Sequence, residues 1–195
     1  MTTSRLIPSW VRAASVAGLV MTLTLPAALS AQPSMVILVR HAEKAAVAGN
    51  DPPLSDIGMQ RAEALASAMA SAKPNAIVVS NLQRTALTAA VVTKQTGMTP
   101  TVIGMEGGSA GHVAAVAKAV QAAKGVVLVV GHSNTVPAII KALGGPALPD
   151  ICDATYGHFF VLIPARDAQP AALTISHFGA AEPAPPASCA GMMPK

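Results

Sequence analysis

Short apolar runs alternate with helical patterns along most of this 195-residue chain. The runs at 36–39, 76–79 and 126–130 are rich in β-branched residues, and a more polar, periodic segment follows each one. A strand that is apolar on both faces must be buried on both faces, as happens in a parallel sheet with helices on either side. The pattern therefore predicts an α/β fold with three α/β/α layers and a mostly parallel central sheet.

The same patterns place the individual elements. Strands are predicted at 36–39, 76–79, 101–103, 126–130, 159–163 and 172–175. Helices are predicted at 55–69, 82–95, 111–124 and 136–143, the first of them capped by Ser55. Aromatic residues are scarce, so Ala, Val, Leu and Ile must build the interior of what is predicted to be one domain.

Residues 1–31 have the pattern of a secretory signal peptide. Arg5 and Arg12 precede an apolar stretch at 13–25, no acidic residue occurs, and small residues come before Gln32. The apolar stretch is shorter than the roughly 20 residues that span a bilayer. The sequence predicts a periplasmic or secreted protein, which meets a membrane through this segment alone if the segment stays uncleaved.

Removal of that segment leaves a predicted domain at 32–180 and a Pro/Ala-rich tail at 181–195. Without Arg5 and Arg12, the chain has 11 basic and 9 acidic residues, which gives a formal net charge of +2. This charge predicts no nucleic-acid partner. Cys152 and Cys189 do not form a Cys-x-x-Cys motif, and two alternatives stay open: a disulfide that pins the tail, or two free thiols.

Four cationic or imidazole side chains are placed at equivalent points of the predicted sheet. Arg40 and His41 follow the first strand, Arg84 lies on the first turn of the helix after the second, and His132 follows the 126–130 strand. The carboxyl ends of parallel strands share one edge, where ligand sites form. Two guanidinium groups and two imidazoles suit a phosphoryl group.

The segments around these residues resemble the histidine phosphatase superfamily, which includes cofactor-dependent phosphoglycerate mutase. Four blocks carry the resemblance, in the family's order, at 39–43, 54–62, 80–89 and 131–133. Ala42 stands where the Arg-His-Gly signature has glycine, and Arg61 stands where glutamine is usual. The resemblance spans residues 35–163 and implies the phosphoglycerate mutase-like fold.

The resemblance also implies a chemistry. His41 would attack phosphorus and become phosphohistidine, which water then hydrolyses, while Arg40, Arg84 and His132 bind the phosphoryl oxygens. The neighbouring arginines favour the neutral imidazole that attack requires. No cofactor and no metal is predicted.

Family members usually add a carboxylate that protonates the leaving group. Glu106, in a glycine-rich loop after a short strand, is the first candidate, ahead of Glu43 and then Asp51. Small phosphohistidine phosphatases of this superfamily manage without an obvious acid, so a structural role for Glu106 stays open.

The predicted function is an exported phosphatase that acts on phosphomonoesters, with a phosphorylated small molecule or envelope saccharide as substrate. Two alternatives remain: a non-catalytic phosphate-binding module, and a phosphohistidine or mutase-type phosphotransferase. A zinc deaminase is excluded because no Pro-Cys-x-x-Cys follows His41-Ala42-Glu43. Tyr156 is expected to border the pocket. The remaining histidines are expected to be solvated or in loops: His112, His158 and His177.

Overall fold

The computed structural model describes residues 1–2 and 32–193. The predicted signal peptide falls almost entirely outside these residues. The strands are β1 (Pro33–Arg40), β2 (Ala76–Ser80), β3 (Thr101–Ile103), β4 (Gly125–Gly131), β5 (His158–Ile163) and β6 (Ala172–His177). The helices are α1 (Asp56–Ala68), α2 (Gln83–Thr96), α3 (Gly108–Ala122), α4 (Thr135–Ala142) and a short 3₁₀ helix, Ala187–Cys189.

The six strands form one sheet in the order β3-β2-β4-β1-β5-β6. The first four in this order are parallel, while β5 runs antiparallel to both β1 and β6. The connection from β5 to β6 contains no helix, and a short connection without a crossover joins antiparallel strands. The prediction of a mostly parallel sheet in an α/β fold is confirmed, with an antiparallel pair at one edge.

Alternate residues of β1 belong to the two halves of the core. Val36 and Leu38 pack with α3 and α4 on one face of the sheet. Ile37 and Val39 pack with α1 and α2 on the other face. Burial on both faces explains why these strands are continuous apolar runs, and it gives the three-layer architecture that the sequence predicts.

Helix boundaries agree with the prediction where the sequence has a capping signal. Ser55 is the N-cap of α1, and its hydroxyl accepts a hydrogen bond from the backbone N–H of Gly58 at 3.2 Å. By contrast, α3 begins at Gly108, three residues before the predicted start. Its first turn consists of Gly, Ser and Ala, which carry no apolar periodicity from which a start is readily inferred. Within the described residues, no helix is both long and apolar enough to span a membrane.

The C-terminal tail is attached to the loop before β5. Cys152 and Cys189 form a disulfide with their Cα atoms 5.4 Å apart. The backbone N–H of Met193 donates to the carbonyl of Asp150 at 3.0 Å, and the Met193 side chain is buried in the core. Of the two alternatives for the cysteines, the structure contains the disulfide.

Candidate active site

The candidate site lies where β2, β4 and β1 end side by side. Arg40, the last residue of β1, is in register with Gly131, the last residue of β4. The backbone N–H of His41 donates to the Gly131 carbonyl at 2.9 Å. From these neighbouring strands the chain continues to α1 on one face and to α4 on the other, which opens a crevice at the strand ends. His41 and His132 flank this crevice.

His41 is held as a neutral imidazole with one free nitrogen. Its Nδ1 lies 2.8 Å from the carbonyl of Ala42, which can only accept, so the ring proton is assigned to Nδ1 and the lone pair to Nε2. Burial lowers the pKa of His41 to about 3, and the charges of Arg40 and Arg84 act in the same direction. A neutral Nε2 at pH 7 is the state that a nucleophile needs.

Two of the three guanidinium nitrogens of Arg40 are bonded to one loop. Nη1 donates to the carbonyls of Cys152 at 2.8 Å and Thr155 at 2.9 Å, and Nη2 pairs with the Asp153 carboxylate at 3.0 Å. Nε is buried and has no hydrogen-bond partner among the described residues. Arg40 therefore offers a ligand its charge and its Nε–H, while most of its fork is used within the protein.

Arg84 enters the site from the second position of α2. Its Nη1 lies 3.4 Å from a carboxylate oxygen of Asp51, and its Nε is buried without a partner among the described residues. Both Asp51 oxygens also accept from the backbone N–H of Gln83, at 3.1 and 3.0 Å. Asp51 thus caps α2 and orients Arg84.

His132 directly follows β4, and its ring lies 5.4 Å from the ring of His41. Nε2 is 3.0 Å from the Ser80 hydroxyl, whereas Nδ1 is buried with no partner in the described chain. Burial, followed by the charge of Arg84, lowers the pKa of His132 to about 4. Sequence reasoning missed Ser80 as a functional residue, although it begins the third motif block and ends β2.

Two of the remaining histidines are buried, so the expectation for them is wrong. His112 lies on the buried side of α3 with Val116 and Val120, a four-residue spacing that carried the signal. Its Nδ1 is 2.8 Å from the carbonyl of Gly104, and its ring is 6.4 Å from that of His132. His158 is also buried, whereas His177 is exposed as expected.

The candidate acids Glu106 and Glu43 have different surroundings in the structure. Glu106 is exposed in the loop between β3 and α3, and in the described chain it forms no hydrogen bond or ion pair with Arg40, His41, Arg84 or His132. Glu43 is held by Arg61, whose Nε and Nη2 reach its carboxylate at 2.7–3.0 Å. Glu43 is therefore engaged in a structural ion pair.

An aromatic ring also borders the site. The ring of Tyr156 lies under the Arg40 guanidinium, with Cζ 4.2 Å from the ring centroid, and 6.2 Å from the ring of His41. No group of three or more His, Cys, Asp or Glu side chains within the described ranges is placed to hold a metal ion.

Known structures share this fold. The protein histidine phosphatase SixA, solved with tungstate, superposes with a TM-score of 0.56 at 17% identity, over 73% of this chain and 96% of that one. A mycobacterial glucosyl-3-phosphoglycerate phosphatase gives 0.53 at 17% identity, over 74% and 97%. A SixA-like protein described as a phosphohistidine phosphatase, from Nakamurella multipartitia, gives 0.51 at 26% identity, over 75% and 96%.

Comparison with family models gives a match over part of the chain. No curated protein matches the chain, but residues 36–104 match the family model of the histidine phosphatase superfamily, branch 1. The matched residues include most of β1 with Arg40, then His41, and all of α2 with Arg84. His132 lies beyond the match and reaches the same crevice through the fold. In its motifs, its fold and the family model over residues 36–104, this chain is similar to the histidine phosphatase superfamily.

Proposed function

We propose that this protein is an exported phosphatase that hydrolyses phosphomonoesters through a phosphohistidine on His41. The observation that carries the proposal is a set of three buried nitrogens that have no hydrogen-bond partner among the described residues: Nε of Arg40, Nε of Arg84 and Nδ1 of His132. Buried polar atoms in folded proteins are nearly always hydrogen-bonded. Their residues surround a neutral histidine, and a phosphoryl group supplies the oxygens that such donors bind.

The proposed reaction has two steps. Nε2 of His41 attacks phosphorus, the P–N bond forms, and the P–O bond to the leaving group breaks. The leaving oxygen takes a proton from the general acid, which we assign below to Glu106. Water then gives a proton back to this carboxylate and attacks phosphorus, the P–N bond breaks, and inorganic phosphate and neutral His41 are regenerated. Arg40, Arg84 and His132 stabilise the equatorial oxygens, and loss of one such preorganised donor typically costs 10²–10³ in rate.

The structure of the loop over the site favours hydrolysis over phosphoryl transfer between substrate positions. The chain passes from the end of β3 at Ile103 to the start of α3 at Gly108 within four residues, Gly104–Gly107. No long insertion therefore covers this side of the crevice, and water can reach the phosphohistidine. This observation supports a phosphatase rather than a mutase.

The central experiment compares wild type with His41→Ala on a panel of phosphomonoesters and on phosphohistidine, with exposed His177→Ala as the matched control. We expect His41→Ala to lose at least 10³-fold in kcat/KM, and His177→Ala to match wild type. Wild-type rates from His41→Ala would disprove the mechanism. Tight phosphate binding without any turnover by wild type would instead identify the non-catalytic binding module.

We assign the role of leaving-group acid to Glu106, which is exposed in the loop between β3 and α3. Glu106→Gln should slow hydrolysis of alkyl phosphates, which have poor leaving groups, and spare aryl phosphates. Exposed Glu63→Gln makes the same charge change on α1 and serves as the control. Equal rates for Glu106→Gln and wild type on every ester would remove Glu106 from the mechanism.

The proposal of export is supported by the signal-like residues 1–31 and by the Cys152–Cys189 disulfide, because disulfides persist in oxidising compartments. Fractionation of cells followed by N-terminal sequencing tests it. We expect the protein outside the cytoplasm with an N-terminus near Gln32. A full-length cytoplasmic product would contradict export and leave the catalytic proposal intact.

A further inference from the structure

One short segment holds the Arg40 side chain in place. We call residues 152–156 the Arg40 loop, because among the described residues they provide the hydrogen bonds and the ring contact of the guanidinium: two carbonyls, one carboxylate and the ring of Tyr156. The two carbonyls bind the same nitrogen, Nη1, and therefore fix one corner of the guanidinium. The other corner, Nη2, is held by Asp153, whose side chain is 86% exposed, so this ion pair adds little to the hold on the guanidinium plane.

The ring of Tyr156 is a further constraint on that plane. With Cζ 4.2 Å from the ring centroid, the guanidinium lies within the distance at which a cation is attracted to an aromatic face. Arg40 is 2% exposed, and burial lowers its pKa, so holding the charge here is costly. The electron-rich face of Tyr156 offsets part of this cost. The same ring lies 6.2 Å from the ring of His41, so it adjoins the nucleophile.

We propose that Tyr156 is a positioning residue that aims the Nε–H of Arg40 at the phosphoryl group. This inference rests on the proposed function, in which Arg40 binds a phosphoryl oxygen. Tyr156 acts through Arg40, and its ring face, not its hydroxyl, carries the effect.

The C-terminal tail holds Tyr156 in this position. The carboxylate of Glu182 accepts a hydrogen bond from the backbone N–H of Tyr156 and also pairs with Arg61 at 3.4 Å. At the other end of the Arg40 loop, the disulfide ties Cys152 to Cys189. The tail therefore anchors both ends of the Arg40 loop. We expect removal of the tail to disturb the phosphoryl site, because Tyr156 and through it Arg40 would lose their support.

The test is a double-mutant cycle on oxyanion binding. Tungstate binding to the full chain is measured by calorimetry for wild type, Tyr156→Leu, Arg40→Gln and the double variant. We expect Tyr156→Leu to weaken binding about tenfold, the range of a desolvated cation–π contact. In the Arg40→Gln background the same change should cost less than twofold, since a residue that acts through Arg40 loses its effect once Arg40 is gone.

Three controls separate positioning from a general loss of structure. Tyr156→Phe keeps the ring and should restore most of the affinity that Tyr156→Leu loses. Phe159→Leu removes an aromatic ring from β5 that does not contact Arg40, and should bind tungstate as wild type does. Glu182→Ala keeps the Tyr156 ring but removes the hydrogen bond that holds its backbone, so it should also weaken tungstate binding. This variant replaces Tyr156→Leu in the test if Tyr156→Leu does not fold.

The outcomes distinguish this inference from the proposed function. Wild-type affinity in Tyr156→Leu, or an undiminished effect in the Arg40→Gln background, would overturn the positioning role while the phosphatase proposal stands. A wild type that binds tungstate without hydrolysing any ester would refute turnover but leave the positioning test valid. No tungstate binding by wild type would overturn both.

Discussion

The hydroxyl of Ser80, at the end of β2, lies 3.0 Å from Nε2 of His132, which follows the neighbouring strand β4. When Ser80 donates to Nε2, the ring proton of neutral His132 lies on Nδ1, the nitrogen that has no partner within residues 32–193. In that tautomer Nδ1–H can donate to a phosphoryl oxygen. The relationship links an ordinary strand residue to the protonation state of the site.

Ser80→Ala should therefore impair phosphate binding without unfolding the protein. The substitution leaves Nε2 of His132 buried without its Ser80 partner, so the tautomer of the ring is no longer fixed. An unsatisfied buried group of this kind costs about 1–3 kcal/mol of free energy. We expect kcat/KM to fall about tenfold. Steady-state kinetics measures it, with Ser67→Ala on exposed α1 surface as control. Equal kcat/KM for both variants would show that Ser80 does not set the state of His132.

The pH dependence of catalysis should lack a limb from the nucleophile near neutrality. Burial lowers the pKa of His41 to about 3, so its reactive neutral form is complete above that value and declines as pH falls through it. Because kcat/KM reports the free enzyme, it should stay constant from pH 8 to 5 once corrected for the dianion fraction of the substrate. A corrected limb near pH 6.5 would mean that His41 titrates as an ordinary histidine.

Loss of the disulfide should destabilise the whole domain. The bridge closes a sequence separation of 37 residues, which corresponds to about 4 kcal/mol in the chain-entropy model. We expect the Cys152→Ser/Cys189→Ser variant to unfold about 10 °C lower. Thermal unfolding with and without reductant measures the effect. Reductant should lower the wild-type transition and leave the variant unchanged; a wild type insensitive to reduction would contradict the prediction.

Replacement of Arg61 by the glutamine that the family usually carries should also be costly. Arg61→Gln removes the bidentate partner of the mostly buried Glu43 carboxylate, and breaking a buried pair costs about 3 kcal/mol. Urea unfolding checks this, with exposed Lys118→Gln as control. The double change Glu43→Gln/Arg61→Gln should recover part of the loss, because no Glu43 carboxylate is then left without its partner; the contact of Arg61 with Glu182 is lost in both variants. Full stability in Arg61→Gln would show that the ion pair contributes nothing.

The site was predictable to the extent that backbone topology determines it. Arg40, His41 and His132 follow strands that are continuous apolar runs, and parallel strand ends meet at one edge, so their proximity follows from pattern alone. Arg84 follows from its place on the first turn of a helix. The partners of these groups were not predictable from local pattern. Asp51 lies more than 30 residues before Arg84 in the chain, and the Arg40 loop lies more than 100 residues after Arg40.

The sequence by itself determined the layer order, the strand-end placement of the two histidines and two arginines, and Ser55 as a helix cap, since these depend on local periodicity and short-range hydrogen bonding. Only the tertiary structure decided three pairings. The Arg40 loop binds the Arg40 guanidinium, Arg61 forms an ion pair with Glu43, and the Ser80 hydroxyl contacts His132. Such pairings depend on which distant groups the packed sheet and tail bring within 3 Å. A buried charge or donor must find its partner there, and no local pattern names that partner.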